Sequence, residues 1–232
     1  MNIKITDCTI RDGGFINNWQ FNDECVKASY FAALRSGVDY FEIGYKSPSS
    51  IGERGKYGSL TDEFVTSLLN YSDQCKLVYM VDANKFDETI VTHDCNSGKT
   101  PFKGVRIATY PNDVKRALSL VEQHFDKGYE VFLNLMTFAE WQEEQYAILE
   151  KWKNKHYLQV INFVDSFGAF IPKDISSYIH ILEKLGFNKI GYHGHNSLQM
   201  AFANTIKAIE EGASHVDATI YGMGRGSGNL PI

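Results

Sequence analysis

The chain has 232 residues, of which 44% are hydrophobic and 22% charged, and its formal net charge is −5. This is a globular balance able to bury a large core, over a length that suits one barrel or one to two smaller domains. The acidic charge speaks against nucleic-acid or anionic-lipid partners, and no apolar run approaches the ~20 residues of a membrane span.

The opening residues lack the basic-then-apolar pattern of a signal peptide. The four cysteines, at positions 8, 25, 75 and 95, include no Cys-x-x-Cys pair and read as free thiols of a reducing cytoplasm. His93 and Cys95 lie close together in a polar stretch, but two such residues do not make a metal site.

Short β-rich runs alternate with helix-like stretches along the chain. Strands are expected at Ile3–Cys8, Tyr40–Gly44, Lys76–Asp82, Gly104–Thr109, Glu130–Met136, Gln159–Asp165, Lys189–His193 and His215–Ile220. Several are almost wholly apolar, as strands covered on both faces should be. Between them, Asn22–Ser36 opens on Asn-Asp-Glu and stops at Gly37, a start and stop pair for a helix. Pro111–Phe125, Pro172–Leu185 and Ser197–Glu211 likewise run into Gly128, Gly186 and Gly212.

About eight strands and about seven helices predict a closed (β/α)8 TIM barrel. The open doubly wound sheet is disfavoured, because Arg11-Asp12-Gly13-Gly14-Phe15 does not match Gly-x-Gly-x-x-Gly. No segment is left for the eighth helix, since Asn229-Leu230-Pro231-Ile232 stands where it would begin. Residues 1–232 are therefore expected to form a single catalytic barrel domain, the N-terminal part of a longer protein. An apolar strip between the first and seventh helices should then be bare.

Three polar clusters fall after strands that neighbour one another in such a barrel, on the face where barrel active sites are built. These are Arg11-Asp12-Gly13, His193-Gly194-His195-Asn196 and the glycine loop from Gly222 to Asn229. His193 and His195, spaced i, i+2 in extended backbone, project to one side and can share a metal at ~2.1 Å each. Asp12 adds an anionic oxygen and Asn229 a neutral one, leaving positions open for a bidentate substrate. Such a donor set suits Mn²⁺ or Mg²⁺, with Zn²⁺, Fe²⁺ or Co²⁺ as alternatives. Arg11 is placed to stabilise an enolate oxygen beside the ion, with Glu42 holding it in position. Ser166, next to Asp165 at the end of the sixth strand, is a candidate for the substrate carboxylate. The glycine loop lacks the Lys-Ser/Thr of a phosphate loop and reads as a mobile lid bringing Asn229 to the metal.

The segment Asp7-Cys8-Thr9-Ile10-Arg11-Asp12-Gly13 resembles the Asp-Thr-Thr-Leu-Arg-Asp-Gly opening of the metal-dependent, lyase-type aldolase superfamily. That group includes hydroxymethylglutaryl-CoA lyase, isopropylmalate synthase and 4-hydroxy-2-oxovalerate aldolase. The chain is similar to the last in Gly104–Thr109, in Val164–Ala169, and in the stretches from His193 to Asn229. The resemblance implies Asp12, His193 and His195 as metal ligands, Asn229 as a fourth, and Arg11 as the catalytic arginine. It departs at Phe15, where those aldolases have a histidine base, and the last glycine loop lacks the catalytic cysteine of the hydroxymethylglutaryl-CoA lyases. Tyr45, Lys46 and Tyr110 are then the candidates for proton transfer.

These features point to a metal-dependent aldolase or lyase acting on a 2-oxo acid or aldehyde through an enolate. The alternatives are a Claisen-type synthase joining an acyl-CoA to a 2-oxo acid, and a non-catalytic ligand-binding barrel in a multidomain protein. The further partner would be a second copy of the chain or a C-terminal domain of the same chain.

Overall fold

Eight parallel strands close on themselves in chain order in the computed structural model, which describes residues 3–48 and 54–232. They are β1 (Lys4–Asp7), β2 (Tyr40–Tyr45), β3 (Lys76–Asp82), β4 (Gly104–Thr109), β5 (Glu130–Leu135), β6 (Leu158–Asp165), β7 (Ile190–Gly194) and β8 (His215–Ala218). β1 closes the barrel on β8 with Lys4 opposite His215 and Asp7 opposite Ala218. The β/α barrel expected from the sequence is the fold observed. Tyr40, Val78, Phe132 and Val160 pack together as a small interior layer, with His215 stacked on Tyr40.

The helices are α1 (Thr9–Asn17), α2 (Asp23–Arg35), α3 (Asp62–Leu68), α4 (Val114–Asp126), α5 (Glu143–Lys151), α6 (Pro172–Lys184) and α7 (Ala201–Glu210). Asn22 caps α2 by accepting from the backbone N–H groups of Glu24 and Cys25, and Thr61 caps α3 through Phe64. The largest apolar cluster fills the space between strands and helices.

The alternation breaks in three places. Residues 9–17, where the sequence reading places the Arg11-Asp12-Gly13 cluster but no helix, form α1 directly after β1. β3 and β4 are joined through residues 83–103 without a helix. Lysine ammonium groups brace that connection, Lys46 donating to the carbonyl of Val91 at 3.1 Å and Lys127 to that of Thr92 at 2.8 Å. After β8, a 3-10 turn at Ile220–Gly222, with Tyr221 at φ 53°, ends the strand sooner than expected. No helix follows it among the described residues. On α7, Phe202 and Ile206 are 64% and 42% exposed, an apolar face one turn long.

A bulge in β2 matters for function. Glu42 pairs with Val78 and Tyr45 with Met80, so three steps along β2 match two along β3. In a regular strand, residues three apart point to opposite faces; the extra residue turns Glu42 and Tyr45 to the same face of the sheet. Gly44 makes this feasible: its φ is 153°, and a Cβ there would lie 1.9 Å from the carbonyl oxygen of Tyr57.

Candidate metal centre and active site

Asp12 reaches the barrel mouth because α1 begins immediately after β1. The Asp7 carboxylate accepts from both the backbone N–H (2.8 Å) and the hydroxyl (2.5 Å) of Thr9, fixing the start of that helix. Trp19 then secures its far side, its indole N–H donating to the Arg11 carbonyl at 2.9 Å. Gly14 is required under that ring, since a Cβ would lie 2.1 Å from the indole.

His193 and His195 come from the end of β7 and the residue just beyond it, with ring centres 5.1 Å apart. One potential ligand atom each from Asp12, His193 and His195 lie within 4.8 Å of one another, and all three residues are buried. The other side of the site is closed by the glycine loop. Asn229 donates its amide N–H to Asp12 Oδ2, and the backbone N–H of Arg225 donates to the same oxygen at 3.3 Å. Gly224 allows that approach, because a Cβ there would fall 2.4 Å from Asp12 Oδ2.

Three observations fit a divalent cation at this cluster. Asn229 Oδ1 is buried with no hydrogen-bond partner among the described residues, an acceptor left for something else. His193 Nδ1 is 2.8 Å from Asp217 Oδ2, the kind of carboxylate partner that orients a metal-ligating imidazole and leaves its other ring nitrogen for an ion. Burial pushes the His195 imidazole down to about 4, with His193 adding to the effect against Asp12, so the ring is neutral near pH 7. Burial pushes Asp12 upward, but Arg11 and the two histidines outweigh it and bring the carboxyl down to about 2. The site thus presents an ionised Asp12 carboxylate and a neutral His195 imidazole, the forms in which both can serve a metal.

Arg11 lies against this cluster. Its Nε donates to Glu42 Oε2 at 2.8 Å and its Nη1 to Asp12 Oδ1 at 2.6 Å, while the guanidinium lines a cavity of about 110 Å³. Glu42 is fully buried and shared, because Arg106 Nη1 also donates to its Oε2 at 2.9 Å. Arg106 in turn donates to Asp217, completing a chain of charges from Arg11 through Glu42, Arg106 and Asp217 to His193. Burial pushes Asp217 up, but Arg106 and His193 more than reverse it and hold it below the ordinary carboxylate range.

The structure brings Arg11, Asp12, Glu42, His193, His195 and Asn229 together as the sequence reading expects. Ser166 is close but differently used: its hydroxyl accepts the backbone N–H of Thr137 at 2.9 Å, and it does not line the cavity. The neighbouring amides of Ala169 and Phe170 are also taken, both bonding the Asp165 carboxylate at 3.0 Å. Of the proton-transfer candidates, Tyr45 and Tyr110 line the cavity, whereas Lys46 points elsewhere and is held by both oxygens of Asp62 at 2.9 Å. His93 joins the same Asp62 at 2.8 Å, and the Cys95 thiol donates to the Phe102 carbonyl.

Sequence reasoning gave no role to Arg106 or Asp217, nor to the cavity residues Arg54, Asp82, Lys85 and Arg225. Arg106 and Asp217 had a readable signal, a charged side chain inside an apolar barrel strand, which must be paired to be tolerated. The others stand at strand ends or in loops, where charge is ordinary.

Against known proteins, the chain is 28% identical over 230 residues to an oxaloacetate decarboxylase of Mycobacterium tuberculosis, covering 98% of this chain and 67% of that protein. It is 30% identical over 239 residues to a 4-hydroxy-2-oxovalerate aldolase of Thermomicrobium roseum, covering 98% of this chain and 64% of the other. The chain thus spans about two thirds of the length of these relatives. Among solved structures, the N-terminal domain of a putative aldolase from Bacteroides vulgatus superposes with a TM-score of 0.81 at 32% identity, covering 99% of this chain and 77% of that one. The HMGL-like family profile matches residues 2–232, and the chain belongs to the HMGL-like family.

Proposed function

We propose that this barrel belongs to a divalent-metal-dependent lyase that breaks or forms a carbon–carbon bond next to a 2-oxo acid through an enolate. The observation that carries this reading is one small cavity bordered by Arg11, Asp12, His193 and His195. A divalent cation, Mn²⁺ or Mg²⁺ in this reading, supplies Lewis acidity toward the oxygens of the 2-oxo acid when bound. Asp12, His193 and His195 are its ligands and Asn229 Oδ1 a fourth. Among the described residues Arg11 Nη2 has no hydrogen-bond partner, and in this reading it serves the oxygen on which charge develops as the carbon–carbon bond opens. Glu42 acts through Arg11, fixing the plane of its guanidinium.

Aldol cleavage also needs a base for the proton of the departing hydroxyl. Phe15 cannot take it. Burial, with Asp82 next in effect, pushes the Tyr45 phenol far up, so Tyr45 keeps its proton and serves as a donor. Asp82, at the end of β3 and lining the cavity, is then the carboxylate left for the base role.

A second reading is favoured by Phe15 itself. Loss of carbon dioxide from a 3-carboxylated 2-oxo acid sends the bond's electron pair into the enolate without any base. The 28% identity to an oxaloacetate decarboxylase agrees with that chemistry.

Deuterium exchange into the methyl group of pyruvate, followed with Mn²⁺ and with Mg²⁺, tests the enolate. Exchange that requires the cation and fails in Arg11→Lys is the expected result. Absence of exchange and of cleavage across a panel of 2-oxo acids would leave a non-catalytic barrel.

A further inference from the structure

The cavity carries more positive charge than its own carboxylates answer. Arg11 is matched by Glu42 and Asp12, and Lys85 by Asp82 at 3.2 Å. Arg54 and Arg225 line the same cavity, and what each holds instead is neutral. Arg54 donates to the Ser47 hydroxyl at 3.1 Å, and Arg225 to the Ser166 carbonyl at 2.9 Å. Among the described residues neither guanidinium has a carboxylate partner. In a chain of net charge −5, this is a local positive pocket beside a site that would add a divalent cation.

Both guanidiniums rest on aromatic rings. Arg54 lies 4.6 Å from the centre of the Trp19 ring and 5.6 Å from that of Tyr45, and Arg225 lies 5.9 Å from that of Phe15. Phe15 in turn meets Trp19 at 4.7 Å and Tyr45 at 6.2 Å. The three rings thus form one continuous shelf with an arginine over each end. A guanidinium laid against a ring keeps its N–H edge available, in the planar fork that matches a carboxylate or a phosphate.

We propose that this shelf is a subsite for a second anionic group on the substrate, a carboxylate or a phosphate beyond the reacting carbons. The proposal rests on the metal site receiving the 2-oxo acid end. It gives Phe15 a task other than proton transfer: its ring supports Arg225 as that of Trp19 supports Arg54. Mono-anionic 2-oxo acids would fill the metal end alone and leave both arginines unanswered.

Calorimetric titration of the Mn²⁺-loaded protein separates these cases. The probes are 2-oxobutyrate, 2-oxoglutarate and 4-phosphono-2-oxobutyrate, which share the 2-oxo acid and differ at the far end. The expected result is at least tenfold tighter binding of one or both of the latter, their ranking deciding between carboxylate and phosphate. In Arg54→Gln and in Arg225→Gln, the ratio to 2-oxobutyrate should fall toward one. A ratio near one in the unmodified protein, or one unchanged in both variants, overturns the subsite while 2-oxobutyrate binding upholds the metal-site reading. If no 2-oxo acid binds, that reading fails, and the subsite is judged by inorganic phosphate. Phosphate binding lost in Arg54→Gln keeps the subsite, and no phosphate binding removes it as well.

Discussion

His193 Nδ1 stands 2.8 Å from Asp217 Oδ2, and the same carboxylate oxygen accepts from Arg106. Two partners on one oxygen tie the orientation of a candidate metal ligand to a fully buried arginine on β4, across the barrel interior. Replacing Asp217 by Asn should loosen the His193 ring and weaken Mn²⁺ binding by ~10–100-fold. His193→Ala and Asp12→Ala should abolish it. Calorimetric titration with Mn²⁺ checks all three, and unchanged affinity in both alanine variants would remove the site.

Arg11→Lys should cut turnover ~10²–10³-fold, equivalent to ~2.7–4 kcal/mol in the transition state. Lysine keeps the charge but cannot bond Glu42, Asp12 and a substrate oxygen together from one plane. Metal content by elemental analysis should stay near that of the unmodified protein. A near-normal rate would make Arg11 a structural residue of the barrel rim.

Arg106→Met addresses the buried network directly. It leaves Asp217 with only His193 and Glu42 with only Arg11. Removing one member of a buried charge network typically costs ~3–5 kcal/mol, because the remaining charges are left uncompensated in a dry interior. Urea unfolding of the metal-free protein at pH 7 measures this. A loss under about 1 kcal/mol would mean the interior re-solvates or reprotonates at little cost, in contrast to the general expectation.

Acid sensitivity should begin with histidines rather than carboxylates. Burial pushes His124 and His215 from 6.5 down to about 4. Between those values the unfolded chain binds protons that the folded chain refuses, so stability is full above about pH 6.5 and is lost as pH falls toward 4. Each ring contributes roughly 3 kcal/mol over that window. Urea midpoints measured with chelator from pH 7 to pH 4.5 should fall, and His124→Gln with His215→Gln should flatten the slope. An identical slope in the double variant would assign the acid loss to other groups.

Strand positions and the side to which the two histidines project were legible because they depend on local information. Short β-rich, largely apolar runs mark β3 and β6, and the i, i+2 spacing of His193 and His195 sets both rings to one side of an extended backbone. Other features follow from contacts remote in sequence. Glu42 and Tyr45 share a face only because a bulge opposite β3 rotates the strand between them. Arg106 and Asp217, 111 residues apart, are tolerable in the barrel interior only because closure brings them together. The same closure turns Arg54 and Arg225 toward one cavity, while Lys46, the residue after β2, is drawn instead to Asp62. Periodicity fixes which way a side chain leaves its own strand; which charge it meets is decided by the register and closure of all eight.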